Sequence, residues 1–313
     1  MGVWLALLSA ATFGTSGVFA KSLLETGWSP GSAVTVRIAG GGLALLVPAL
    51  FALRGRWYLL RGHAPLIVAY GMIAMAACQL FYFNAVATLS VGVALLLEYL
   101  GPVLVVGWLW ARHGQRPRSW TLAGIVLSVG GLLLILDVTG GMRIDLGGVL
   151  WGLGAACGLA AYFVLSAKDT EGLPPLVLAA GGMVVAAAAL GVAGLVGVMP
   201  MTVSSSDVVL AGRDLPWLVP IVGLCLVAAA FAYVAGIAAS QRLGSKVASF
   251  LGLTEVMFTV LFAWLLIGEM PLPIQLAGGL LIVVGVLAVR YDELRGDRRT
   301  THDAPVEPTG QLG

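Results

Sequence analysis

The sequence predicts an all-α integral membrane protein. It has ten transmembrane helices, arranged as two inverted five-helix repeats, with both termini cytoplasmic. Three observations carry this. Of 313 residues, 59% are hydrophobic and only 10% are charged, against about 45–50% and about 25% in soluble domains. Apolar runs long enough to cross a bilayer recur along the chain. A block of sequence reappears at a fixed offset.

The composition excludes a disordered chain, a nucleic-acid binder with a basic face and an ordinary soluble enzyme. The 43 glycines show no Gly-X-Y period, and the mean hydropathy is +1.00. Cys78, Cys157 and Cys225 each sit in an apolar run, so no disulfide framework is expected. His63, His113 and His302 have no metal-ligand spacing. Neither a metal nor a cofactor is implied. No Gly-rich loop continues into Gly-Lys-Ser/Thr, so an ATP-driven pump is not indicated.

A spanning helix needs about 20 apolar residues. Ten runs qualify, at 3–24, 31–53, 65–87, 91–111, 119–137, 146–167, 175–197, 217–239, 245–266 and 273–290. The first is read as a retained span and not a cleaved signal, because no Lys or Arg precedes it. Lys and Arg in the loops fix the orientation. Thirteen fall on the side of the 2–3, 4–5, 6–7 and 8–9 loops and the tail, and three (Lys21, Arg143 and Arg213) on the other. The basic side is cytoplasmic by this rule. Residues 291–313 mix charges with Pro and Gly and read as a disordered cytoplasmic tail.

At an offset of 154, Trp110, Gly114, Pro117, Gly124 and Gly131 meet Trp264, Gly268, Pro271, Gly278 and Gly285. Fourteen of the 43 positions from Val91 to Leu133 are identical to their partners. A weaker match at offset 147 pairs Trp4 with Trp151 and Lys21 with Lys168. The repeats are residues 1–140 and 145–290. Five spans per repeat is odd, so the second copy enters the membrane from the opposite face. Such repeats are common in secondary transporters, where two halves exchange conformations around a shared site.

Three formal charges fall well inside spans: Arg37, Glu98 and Glu255. A charge at mid-bilayer costs at least about 2.5–3.5 kcal/mol unless it is paired or wetted. Each should therefore face the bundle interior or a watery cavity. From the helical rise, Arg37 and Glu98 lie roughly 10 Å below the outer surface and Glu255 about 15 Å from the inner one. Arg37 can meet a substrate carboxylate or pair with Glu98. Glu98 or Glu255 can meet an ammonium group or a proton. Glu255 has no basic partner in a span and is the stronger candidate for a coupling residue. Gly101 and Pro102 break the helix beside Glu98, since proline removes a backbone donor. Tyr99, Thr254, Gln79 and Asn84 are further candidates for the cavity wall, with Tyr82, Tyr162 and Tyr233. Trp4, Trp110, Trp151 and Trp264 lie near span ends, as interfacial anchors do.

The duplicated Trp-Gly-Pro-Gly-Gly pattern, with Glu269 directly after Gly268 in its second copy, resembles the drug/metabolite transporter superfamily in its ten-helix EamA-type branch. The resemblance covers residues 3–290. The first half departs from the pattern, with Gln115 where the second has Glu269. Leu97-Glu98-Tyr99-Leu100-Gly101-Pro102 is similar to a stretch of threonine/homoserine-type amino-acid exporters, Thr254-Glu255 to its counterpart, and Arg37 also fits the family. The resemblance implies a plasma-membrane secondary transporter, not an enzyme, that exports a small metabolite such as an amino acid by proton antiport. Its partners are a small-molecule substrate, the lipid bilayer and protons as coupling ion. Efflux of an amphipathic drug or toxic metabolite is the rival reading, followed by a non-transporting scaffold. Gly148 and Gly152 have the spacing of a helix-dimer face, and nothing else in the sequence supports a homodimer.

Overall fold

Residues that cannot continue a helix set most of the helix boundaries. The computed structural model describes residues 1–88, 97–135, 145–170, 172–267 and 273–302. Helix α1 (Gly2–Leu24) ends in a turn where Gly27 takes a φ of 101°, open to glycine at no steric cost. Ser29 opens α2 (Pro30–Ala52) by accepting the Ser32 amide, with Pro30 in the first turn. Helix α3 (Tyr58–Ala69) runs through a π-helical segment, Tyr70–Ala77, into α4 (Cys78–Thr88). Tyr99 and Leu100 form a turn, and α5 (Gly101–His113) follows, closed by left-handed Gly114. Then come α6 (Ser119–Ile135), α7 (Leu146–Ser166) capped by Asp145, and α8 (Pro175–Leu195). Helix α9 (Leu218–Val222) enters a second π-helical segment, Gly223–Phe231, and continues as α10 (Ala232–Gly252). A kink at Gly244 divides α10, and α11 (Thr254–Ile267) and α12 (Pro273–His302) complete the chain.

The chain is mostly helical, as expected of an all-α membrane protein. Among the described residues, six helices are long and apolar enough to cross a membrane, and three apolar helices are shorter. Two differences from the sequence reading stand out. Residues 208–215 form a small antiparallel hairpin, β1 (Val208–Leu210) with β2 (Arg213–Leu215). The last helix passes residue 290 and reaches His302, where a disordered tail is expected. Extending an existing helix avoids the cost of nucleation. Asp292 also fastens this stretch, accepting from Thr121 Oγ1 at 2.5 Å and meeting Lys246 Nζ at 3.6 Å. Residues 303–313 lie outside the described residues, as do Gly268, Glu269 and Pro271 of the repeated motif.

Packing exchanges partners between the two halves of the chain. Helix α1 packs on the second π-helical segment, α10 and α11, while α7 packs on the first π-helical segment, α4 and α5. Helices α2 and α8 pack on each other, and so do α6 and α12. The irregularities keep the same spacing: the π-helical segments begin 153 residues apart, and the turns at Tyr99 and Leu253 lie 154 apart.

The repeated glycines explain the α6–α12 contact. A Cβ on Gly131 would sit 2.5 Å from the Gly278 carbonyl, and one on Gly124 would sit 2.7 Å from the Gly285 carbonyl. Only glycine permits backbones this close. At one end of the bundle, Trp28 Nε1 donates to Ser204 O at 2.6 Å, and Ala211 N donates to Leu266 O at 2.7 Å. The α1–α2 turn, the hairpin and the end of α11 therefore share that end.

Gly131→Leu is expected to destabilise the protein by about 1–3 kcal/mol through overpacking, seen as a lower melting temperature in detergent. Gly130→Leu, whose Cβ meets nothing within 4 Å, should leave melting unchanged. Equal shifts for both would contradict this packing.

Candidate functional site

A cavity of about 740 Å³ lies inside the bundle, with walls from α1, α2, α4, α7, α10 and α11 and the turn before α5. Among the described residues, four chargeable side chains line it: Lys21, Arg37, Glu98 and Glu255. Two are basic and two are acidic, so the walls are locally polar. Phe13, Tyr82, Tyr99, Tyr162 and Tyr233 supply aromatic surface, and Gln79 an amide.

Local packing explains how Arg37 reaches this depth. Gly40, Gly41 and Gly42 let α2 lie flush against Cys225, Ala229 and Met183. Arg37, on the same helix, is then only 8% exposed. Its Nη2 donates to the Ala228 carbonyl of the second π-helical segment at 2.7 Å. The guanidinium carbon lies 5.6 Å from the centre of the Phe13 ring, within cation–π range. Its Nε is buried and meets no acceptor.

Glu98 directly precedes the turn at Tyr99 and Leu100, and Cys78 Sγ donates to its Oε1 at 3.5 Å. Glu255 is the second residue of α11, just past the turn at Leu253, and the Tyr99 hydroxyl is its hydrogen-bonding neighbour. Both carboxylates thus sit at helix interruptions, where the chain can present polar groups to a cavity at modest cost.

Of the two alternatives for Arg37, the ion pair with Glu98 is not formed; Arg37 binds a backbone carbonyl. Neither Glu98 nor Glu255 is in an ion pair among the described residues; Lys246–Asp292 is one that forms there, remote from both. Of the expected wall residues, Arg37, Glu98, Glu255, Tyr99, Gln79, Tyr82, Tyr162 and Tyr233 come together. Two do not. Asn84 Nδ2 donates to Leu80 O at 2.8 Å, and Thr254 Oγ1 donates to Leu251 O at 2.6 Å, so each short polar side chain satisfies itself on its own turn. Gly101 packs on Leu159, and Pro102 borders a smaller crevice with Tyr99 and Leu253. The sequence reading missed Phe13 and Cys78, and counted Lys21 only toward the orientation. Lys21 alone carried a signal, as a basic residue on the side where such residues are scarce.

The cavity is closed at one end and open at the other. Ala6, Ala239 and Ala248 are buried at its floor, whereas Gly17, Lys21 and Leu24 are exposed at its mouth. The mouth lies at the end that carries the α1–α2 turn.

This arrangement, a polar centre inside an apolar bundle, frames the comparisons with known proteins. The model of the EamA-like transporter family matches residues 1–137 and again residues 146–291. The chain belongs to that family. It is similar to the uncharacterized transporter YwfM of Bacillus subtilis, 27% identical over 90% of this chain and 91% of the relative. It is also similar to the uncharacterized inner membrane transporter YicL of Salmonella typhimurium, 23% identical over 93% and 96%. A solved crystal structure shares the fold, with a TM-score of 0.75 at 20% identity over 94% of this chain and 98% of its own. The protein is a multi-pass membrane transporter.

The cavity predicts a labelling pattern, in a background with Cys78, Cys157 and Cys225 replaced by Ala. Tyr82→Cys and Gln79→Cys should react with a membrane-impermeant maleimide added on the side of the α1–α2 turn. Ala6→Cys, at the floor, should react far more slowly. Equal rates at all three positions would contradict a one-sided cavity.

Proposed function

We propose that this protein is a secondary active transporter that exports a small metabolite, with an amino acid the leading solute, in exchange for protons. The reading takes the chain as ten spans in two inverted repeats, residues 1–140 and 145–290, with both termini cytoplasmic, in the plasma membrane. On that orientation the cavity mouth faces outside.

The observation that carries the proposal is the pair of carboxylates, Glu98 and Glu255, lining a cavity with one buried arginine. A polar solute needs such groups to replace the water it leaves. Burial away from water favours the neutral form of a carboxyl group. A carboxyl outside any ion pair can therefore hold a proton in one step and yield it in the next. Glu255 is placed for that role, because its neighbour Tyr99 can hydrogen-bond to either form. Exchange between inward-facing and outward-facing states then follows from inverted halves that swap conformations.

The aromatic wall favours a second reading, efflux of an amphipathic drug or toxic metabolite, since Phe13, Tyr82, Tyr162 and Tyr233 offer apolar surface. Transport assays separate the two. In proteoliposomes, an amino-acid panel should contain at least one solute whose flux a pH gradient accelerates. Glu255→Gln should abolish that acceleration while the protein still inserts. Flux of amphipathic compounds alone would favour the second reading, and no flux of any solute would contradict transport of either kind. Unchanged pH drive in Glu255→Gln would return Glu255 to a structural role.

A further inference from the structure

We propose that Arg37 is the docking point for an anionic group on the transported solute, a carboxylate in the amino-acid case. This rests on the transport reading and narrows its substrate class. The argument begins with unmet hydrogen bonds. A guanidinium has five N–H donors and no acceptor. In the structure Nη2 is engaged on the Ala228 carbonyl, while Nε is buried without an acceptor. A buried charge with few partners is costly, and an unmet buried donor adds to that cost. The cavity offers carboxylates on Glu98 and Glu255, yet neither pairs with Arg37. The counter-ion that completes Arg37 must then come from the solute.

The surroundings fit a planar anion better than a second cation or a neutral ring. Phe13 holds the guanidinium carbon at 5.6 Å, and Ala228 takes one donor, so the group is fixed before a ligand arrives. Preorganised arginine matches a carboxylate with two parallel hydrogen bonds. The position has no twin. Counting from the opening prolines of α2 and α8, Gly182 occupies the place of Arg37, and the Tyr70 ring fills the space there. Among the described residues, the cavity therefore carries a single deep guanidinium. The solute docks with its anion on Arg37 and its cation toward Glu98 and Glu255. A purely cationic amphipath leaves Arg37 unmet and is disfavoured.

The test compares amino acids that move in proteoliposomes with their own carboxamides, which keep the ammonium group and lose the anion. For wild type the half-saturation concentration of the amide should exceed that of the acid by about 30-fold or more, the loss expected when a buried charge pair loses one member. In Arg37→Gln the acid and the amide should converge, and Arg37→Lys should fall between. Gly130→Leu serves as a control that keeps the wild-type ratio. In parallel, acetate should raise the melting temperature of purified wild type but not of Arg37→Gln, and acetamide should raise neither. Acid and amide moving equally well in wild type would overturn the assignment while leaving transport standing. Faster movement of a tetraalkylammonium ion than of any amino acid would overturn it as well. If no solute moves, the transport reading fails, and the acetate comparison still decides whether Arg37 receives an anion.

Discussion

The cost of placing charge inside an apolar bundle governs this molecule. Only 10% of the chain is charged, and the charges that lie deep gather around one cavity. Arg37 is held by a carbonyl and a ring, Glu98 by a thiol, and Glu255 by a phenol. None of these partners neutralises a charge. Each orients its group and leaves the electrostatic demand open, which a site that must take up and release a charged solute requires. A strong internal ion pair would satisfy the same groups permanently and leave the solute nothing to replace.

The irregular helices make that arrangement reachable. The second π-helical segment carries Ala228, the carbonyl that fixes Arg37, and Cys225 and Ala229, against which α2 packs. π-Helical insertions of this kind occur often at functional sites. The turns at Tyr99–Leu100 and Leu253 bring Glu98 and Glu255 to helix interruptions from the two halves of the chain. Regular glycine contacts do the opposite work between α6 and α12, where Gly124 and Gly131 meet Gly285 and Gly278 in a close backbone seam. Stiff seam and irregular cavity wall are thus built from different sequence features.

Much of this was legible in the sequence because lipid imposes strict rules. Apolar run length located the helices, and the scarcity of charge singled out Arg37, Glu98 and Glu255. The glycines repeated at offset 154 are those of the α6–α12 seam, where they meet crosswise, Gly124 on Gly285 and Gly131 on Gly278. The misses have physical reasons too. Asn84 and Thr254 were indistinguishable from wall residues, because a polar side chain that bonds back to its own turn has the same sequence signature as one that faces a cavity. Arg37 and Glu98 lie at matching depths, yet depth does not fix which way a side chain points. The π-helical segments leave no mark in hydropathy, and Phe13 and Cys78 line the site through tertiary packing, which apolar residues in a run do not announce. Past residue 290, α12 is fastened at Asp292 by Thr121, far away in sequence.

The central claim is that one solute bridges the buried arginine and the two carboxylates. The most direct measurement is an experimental structure of the full protein with a transported amino acid bound at saturation. The account predicts its carboxylate within hydrogen-bond distance of the Arg37 guanidinium and its ammonium group facing Glu98 or Glu255. A solute bound outside this cavity, or inside it with neither end near these three side chains, would contradict the account.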